Sequence, residues 1–359
     1  MHPRAHVALT YILPIKARTP QDNTELTSYL AWLSRCVDVV VVDSSEPDVF
    51  AAHHTAWSRH ARHVPPDPGL VAPVGKVSNV LTGLRLARNA RVIIADDDVR
   101  YDALSLRRVA RSLDDYDVVR PQNYFDPLPW HAVWDTGRIL LNRVAGGDWP
   151  GTLGVRRDSL ARAGGYDGRA MFENLELVRT VLAVGGQETV LYDAYVRRIP
   201  CGTAHFWSQR VRQAFDEFAR PERLAIQLAL LPAIISLVRA RRWGTLAAGI
   251  TTIVAVAELG RRRDDGRSVF PPAASFAAPA WVAERALTSW LAIATRVTRG
   301  GVIYQGQVIN LAASPSRVLR RRFAHLNTHA TIASSCSSTS MGLNEPLLDN
   351  SAEHAVTPT

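Results

Sequence analysis

Arg91-Val92-Ile93-Ile94-Ala95-Asp96-Asp97-Asp98-Val99 joins a short apolar run to three consecutive carboxylates. A run of this length, rich in β-branched side chains, predicts a buried strand. Carboxylates crowded at its C-terminal end repel one another unless positive charge sits among them. A divalent cation would supply that charge, since Mg²⁺ and Mn²⁺ take oxygen ligands and bridge to substrate phosphates. The alternative is a solvated acidic turn, with Asp102 capping the helix that follows.

The neighbouring segments repeat the pattern. Residues 7–15 predict a first strand, 23–36 a helix, and 37–42 a second strand, apolar nearly throughout as a strand covered on both faces is. That strand ends at Asp43-Ser44-Ser45. Residues 76–89 predict a helix opened by Gly75, leading into the strand at 91–95. Strand–helix alternation with continuous apolar strands predicts an α/β fold, a mostly parallel sheet flanked by helices. Ligands of such sheets bind outside the carboxyl ends of the strands, so Asp43 and the triple aspartate are expected in one crevice. Residues 118–201 are less regular. Within them, 172–184 predicts a helix carrying Glu173 and Glu176, and 190–192 and 194–196 predict strand.

The chain has 359 residues, 47% hydrophobic and 21% charged, which predicts a globular protein with a sizeable core. Cys36, Cys201 and Cys336 lie far apart and form neither a zinc spacing nor a disulfide framework, as suits a reducing compartment. No signal-peptide pattern precedes the first strand. A net charge of +9 invites a nucleic-acid reading. The arginines are dispersed, however, and no nucleic-acid-binding motif appears, so no nucleic-acid partner is expected. Basic residues beside apolar helices point instead to an anionic membrane surface.

Those helices lie late in the chain. Residues 224–238 and 243–257 are apolar, each shorter than the ~20 residues a spanning helix needs. Arg239-Ala240-Arg241-Arg242 lies between them and Arg261-Arg262-Arg263 follows. A spanning hairpin would place the first cluster away from the cytoplasm, against the positive-inside tendency. Half-embedded or interfacial helices are therefore expected, with ordinary buried helices as the alternative. Residues 281–294 read as amphipathic. The expected organisation is a catalytic domain at 1–213, an apolar and basic helical region at 214–326, and a disordered tail at 327–359.

The order of motifs resembles the family 2 glycosyltransferases, inverting enzymes with the type A nucleotide-diphospho-sugar transferase fold, over residues 7–213. Tyr11-Ile12-Leu13-Pro14-Ile15 resembles the family's opening strand. The run ending at Asp43 resembles the second strand, and Gly75-Lys76-Val77-Ser78-Asn79 the Gly-Lys helix start. Asp96-Asp97-Asp98 stands at the DxD motif. The resemblance implies that Asp43 contacts the nucleotide base and that Asp96 and Asp98 hold Mn²⁺ or Mg²⁺ at the donor diphosphate. Asp97 and Lys76 would lie close to the donor. It also implies a general base at Glu173-Asn174, where the family carries Glu-Asp. An amide is no base, so the role falls to Glu173 or, one turn on, Glu176. Ser208-Gln209-Arg210-Val211-Arg212-Gln213 matches the QxxRW signature except that Gln213 replaces Trp, leaving Gln209, Arg210 and Arg212 as donor-binding candidates. Asp148, Trp149 and His205 are the acceptor-side candidates.

The implied function is transfer of one sugar from a nucleotide-diphospho-sugar to a lipid-linked, amphipathic or glycan acceptor, at the cytoplasmic face of the cell membrane. Asn174 and Gln213 motivate the alternative, a degenerate member that binds without turnover. A nucleotidyltransferase is disfavoured because no glycine-rich phosphate loop follows the first strand.

Overall fold

The computed structural model describes residues 6–19, 24–324 and 326. The tail expected to be disordered, including Cys336, lies outside the described residues. The chain opens with β1 (Thr10–Ile15), α1 (Thr24–Leu33), β2 (Asp38–Asp43), α2 (Pro47–Trp57), β3 (Arg62–Val64), α3 (Gly75–Leu86) and β4 (Arg91–Ala95). Next come β5 (Val99–Arg100), α4 (Ala103–Asp115), β6 (Val118–Phe125), α5 (Trp130–Val144), β7 (Thr152–Arg156), α6 (Arg157–Arg162), α7 (Glu173–Ala183) and β8 (Glu188–Arg198). The last third holds α8 (Thr203–Phe215), α9 (Pro221–Arg239), α10 (Trp243–Arg262), α11 (Pro272–Arg299), the hairpin β9 (Val302–Tyr304) and β10 (Gln307–Ile309), and α12 (Ser316–Arg322).

Eight strands form one sheet in the order β3-β2-β1-β4-β7-β6-β8-β5. β3, β2, β1 and β4 are parallel, with Thr10 opposite Asp38 on one side and Val92 on the other. β7 runs antiparallel to both β4 and β6, β8 is parallel to β6, and β5 is antiparallel to β8. The sheet is thus mixed and mostly parallel, flanked by helices. Its apolar strands are buried on both faces: Ile12, Val40, Val41, Val92 and Ile93 are fully covered. Each such side chain contributes roughly 1.5–3 kcal/mol of burial. The register carries the carboxyl ends of β1, β2 and β4 to one edge, where the chain turns sharply. α4 then starts with a capping box: Asp102 Oδ1 accepts from the Leu104 and Ser105 backbone N–H groups, and Ser105 reciprocates.

The irregular middle contains α5, a 15-residue helix that sequence periodicity did not isolate. The two late apolar segments are also longer than expected. α9 has 19 residues and α10 has 20, because Pro221-Glu222-Arg223 begins the first and Glu258-Leu259-Gly260-Arg261-Arg262 extends the second. Pro221 is at a helix-compatible N-terminal position. Both helices are long and apolar enough to cross a membrane by length and composition, and only 11% of each apolar window is buried. The expectation of half-embedding therefore loses its length argument. α10 crosses α5 closely at Gly260, where a β-carbon would run into the Leu140 carbonyl. α11 is two-faced, in keeping with the amphipathic reading of 281–294: Trp281, Arg285, Ser289 and Ala292 are buried against the rest of the molecule, while Leu287, Trp290 and Leu291 are exposed.

Candidate active site

A cavity of about 540 Å³ opens at the carboxyl ends of β1 and β4. Lys76, Asp96, Asp97, Trp149, Glu173, His205, Gln209 and Arg212 line it, although they span more than a hundred positions of sequence. Asn174 and Gln213, the two departures from the family pattern, line it as well. A smaller crevice of about 180 Å³ continues past Lys16, Ser44, Gly75 and Asn79.

The aspartates form a tight turn, Val99 N–H donating to the Asp96 carbonyl at 3.1 Å. In that turn the alternation of an extended strand does not apply. Asp96 and Asp97 face the cavity, whereas Asp98 accepts from Arg198 Nε at 2.7 Å. Lys76 Nζ lies 2.5 Å from Asp96 Oδ1 and 2.5 Å from Glu173 Oε1, and Arg198 Nη2 approaches Asp96 Oδ2 at 3.8 Å. Positive charge among these carboxylates comes, in this arrangement, from Lys76 and Arg198. Burial alone would lower the Lys76 ammonium, but Asp96 and Glu173 hold it above the ordinary lysine value. Burial, reinforced by Asp98 and Asp96, pushes the Asp97 carboxyl up to about 6. Burial also raises Glu173 against the opposing pull of Lys76. Gly151, with φ 69°, permits this crowding, since a β-carbon there would fall 2.7 Å from Asp96 Oδ2.

Among the described residues no three His, Cys, Asp or Glu side chains converge on a point in metal-ligating geometry. A hard cation that binds through one or two carboxylates plus substrate phosphates needs no such cage. Two observations fit that mode. Asp96 and Asp97 present carboxylate oxygens to the cavity, and Asp98 Oδ1 is buried without a hydrogen-bond partner.

The remaining candidates separate. Asp43 does not line either space: it is 1% exposed, and its oxygens accept from Ser45 N–H at 2.8 Å, His53 Nδ1 at 2.7 Å and His63 Nε2 at 3.2 Å. Burial would raise its carboxyl, but hydrogen bonds from His63, Ser45 and His53 hold it well below the usual range. Ser44, beside it, lines the crevice. Glu176 is buried facing away, accepting from Ser314 N–H at 2.6 Å and bordering a separate cavity with Tyr166 and Arg169. Arg210 makes a buried two-pronged pair with Asp135, at 2.8 and 3.2 Å, and lies over Phe206. Asp148 is fully buried, accepting from Arg138 at 2.6 Å and Asn142 at 2.7 Å. These side chains order the walls rather than face the cavity.

Sequence reasoning did not find Arg138, Arg198, Asp216, Arg220, Arg223, Trp281 and Arg285, which also line the cavity. No motif marks them; Arg198 merely ends β8, and Trp281 and Arg285 stand on α11. Residues from both sides of position 213 therefore build one site. Asp216 is notable because burial pushes its carboxyl up to about 7 despite Arg212 and Arg220, and its Oδ1 has no partner.

No protein-family model matches the chain, and no curated protein matches it. Among solved structures it is similar to the mannosyltransferase PcManGT from Pyrobaculum calidifontis, in complex with GDP-Man and Mn²⁺, at 18% identity over 80% of this chain and 88% of that one, with a TM-score of 0.45. It is also similar to mannosyl-3-phosphoglycerate synthase from Rubrobacter xylanophilus, at 14% identity over 56% and 70% of the two chains and a TM-score of 0.40. A third such structure is S. aureus TarS, at 16% identity over 57% and 39%, with a TM-score of 0.37. These structural neighbours are type A-like glycosyltransferases at low identity.

Proposed function

We propose that this chain transfers a single sugar, with inversion, from a nucleotide-diphospho-sugar to a lipid-linked or amphipathic acceptor at the cytoplasmic face of a membrane. The observation that carries this reading is the convergence of Lys76, Asp96, Asp97, Glu173, Gln209 and Arg212 on one cavity at the strand carboxyl ends. Open α/β sheets bind ligands there, and the mixture of carboxylates and cations suits a diphosphate with its counter-ion.

Mn²⁺ or Mg²⁺, held by Asp96 and Asp98 with Asp97 close by, would act as a Lewis acid at the diphosphate leaving group. Asp98 does not line the cavity and is paired with Arg198, so it would serve such an ion only by sharing its carboxylate with that guanidinium. Lys76 and Arg212 supply further positive charge as the sugar–phosphate bond breaks and its electrons pass to the phosphate. Glu173 takes the proton of the acceptor hydroxyl while that oxygen attacks the anomeric carbon from the opposite face. Lys76, bonded to Glu173, favours its ionised form against the burial that raises the carboxyl. The exposed apolar side chains of α9 and α10, including Ile226, Ile235, Trp243 and Ile250, support docking on a bilayer. A second reading, binding without turnover, is favoured by Asn174 and Gln213, the amides that line the cavity where the family carries a carboxylate and a tryptophan.

The deciding experiment screens nucleotide-sugars with Mn²⁺ for hydrolysis or transfer, alongside Asp96→Ala and Glu173→Gln. Asp96→Ala should abolish metal-dependent nucleotide binding, and Glu173→Gln should keep binding but lose turnover. Nucleotide binding without turnover in the unaltered protein would select the second reading. Unchanged binding in Asp96→Ala would sink the metal assignment.

A further inference from the structure

Beyond the tip of the β9–β10 hairpin, a hollow of about 490 Å³ adjoins the active-site cavity and shares Gln209, Arg212, Tyr304 and Gln305 with it. Arg18, Arg212 and Arg299 line this hollow, and none of its lining residues is acidic. Arg18 and Arg299 are exposed, and among the described residues neither has an ion pair or a hydrogen bond. The Arg212 guanidinium lies 5.5 Å from the Tyr304 ring centroid and reaches Asp216 and Glu173 only through space. Among the described residues, the one bare buried acceptor on this wall is the neutral amide oxygen of Gln209. The wall carries three positive charges and no negative one.

Apolar surface leads away from these cations. Leu287, Trp290, Leu291, Ala294 and Val297 are exposed on α11. Their spacing of three and four residues puts them on one helix face. Thr295 and Arg299, on the same helix, belong to the hollow. Ile303 and Val308, paired across the hairpin, are exposed as well, and Val211 and Val302 add apolar lining. Trp290 Nε1 donates to the Leu228 carbonyl at 3.1 Å, which joins this face to α9. Contiguous apolar surface left in water marks a contact site. Its occupant must bring an anionic head and an apolar body together. A soluble phosphate ester leaves the helix face bare, and a peptide laid there brings backbone groups that need partners. A hydrocarbon chain brings none, and a phosphate takes paired N–H···O bonds from guanidinium.

We propose that Arg18 and Arg299, with Arg212 at the boundary, hold the phosphate of a lipid whose chain lies along the Leu287–Val297 face of α11. That this lipid is the sugar acceptor rests on the transferase reading; the lipid-phosphate site itself does not. The shared wall of Gln209, Arg212, Tyr304 and Gln305 sets such a headgroup beside the cavity that Glu173 lines.

Isothermal titration of dihexanoyl phosphatidic acid, kept below its micelle concentration, into the full-length protein without nucleotide reads this site alone. Arg18→Gln and Arg299→Gln should each weaken binding by about tenfold, and Arg299→Lys by less. Leu291→Glu with Val297→Glu should weaken it about as much, by removing the surface for the chain. Arg241→Gln, in the exposed turn between α9 and α10, should bind like the unaltered protein. Inorganic phosphate should bind at least about tenfold less tightly than the lipid, and dihexanoylglycerol, which lacks the phosphate, should not compete. Thermal melts should stay level, because the altered side chains are exposed. Unaltered binding in both arginine variants overturns the assignment, and so does an equal loss in Arg241→Gln, which would mark a general charge effect. Inorganic phosphate binding as tightly as the lipid refutes the lipid source. Lipid binding in a chain that turns over no nucleotide-sugar sinks the transferase reading and leaves the site standing; turnover without lipid binding does the reverse.

Discussion

Replacing Lys76 with Met removes one cation that two carboxylates share. Lys76 Nζ lies 2.5 Å from Asp96 Oδ1 and 2.5 Å from Glu173 Oε1, with side-chain exposures of 20%, 25% and 11% respectively. At an effective dielectric of about 20, each contact is worth up to ~6 kcal/mol of Coulomb attraction. Most of that is repaid in desolvation. Breaking such a buried pair from one side typically costs about 3–5 kcal/mol, and partial exposure places this one near ~3 kcal/mol. For a chain of this size that corresponds to a fall in Tm of roughly 4 °C. The cost comes from stranding Glu173 and Asp96 as uncompensated anions, not from losing packing, because the Met stem replaces the lysine methylenes. Removing the stranded charge should therefore restore stability: Lys76→Met/Glu173→Gln should melt above Lys76→Met, recovering about half of the deficit. Differential scanning calorimetry of the four proteins of the cycle measures this. If the double variant melts lower than Lys76→Met, or if Lys76→Met lowers Tm by less than ~1 °C, the charge-sharing account is wrong.

Other consequences are as open to measurement. Asp216 has a folded value raised to about 7, so its contribution to stability is intact below the unfolded value near 4 and is lost as pH rises toward 7. Asp216→Asn should remove that loss, so its Tm should gain on the unaltered protein between pH 4.5 and 7 and stay level above; parallel profiles would contradict this. Ile235→Glu with Ile250→Glu, both exposed, should leave the melt unchanged yet reduce co-sedimentation with anionic vesicles. Equal partitioning of the variant and the unaltered chain would remove the membrane reading. Gly260→Ala should cost about 1–3 kcal/mol, because its β-carbon meets the Leu140 carbonyl where α10 crosses α5; a neutral melt would show that the helices can separate freely.

The parallel half of the sheet was legible because its strands are buried on both faces and so read as unbroken apolar runs. β1, β2 and β4 fall within a few residues of their expected limits. The antiparallel insertion of β7 was not, since a five-residue strand around Gly154 carries no mark of its direction. Of the cavity lining, Asp96 and Asp97 stood out as carboxylates at the end of an apolar strand, whereas Lys76, Glu173 and Arg212 were found through the resemblance to family motifs. Arg210 stood equally close to the signature, yet two positions along α8, about 200° around the helix, place it in a buried pair with Asp135. Helical phase, not residue type, separates it from Arg212. Arg198, Asp216 and Arg285 were invisible for the opposite reason: each reaches the cavity through tertiary packing and lies in no local pattern.

The closing of the cavity by α11 bears on how the molecule comes into being. Trp281 and Arg285 leave the ribosome long after the aspartate turn and its strands, and no earlier segment can stand in for them. A nascent chain that has finished its sheet but not its last helices still has an open wall. Competence is therefore withheld until α9 and α10 have emerged and α11 has packed against the cavity.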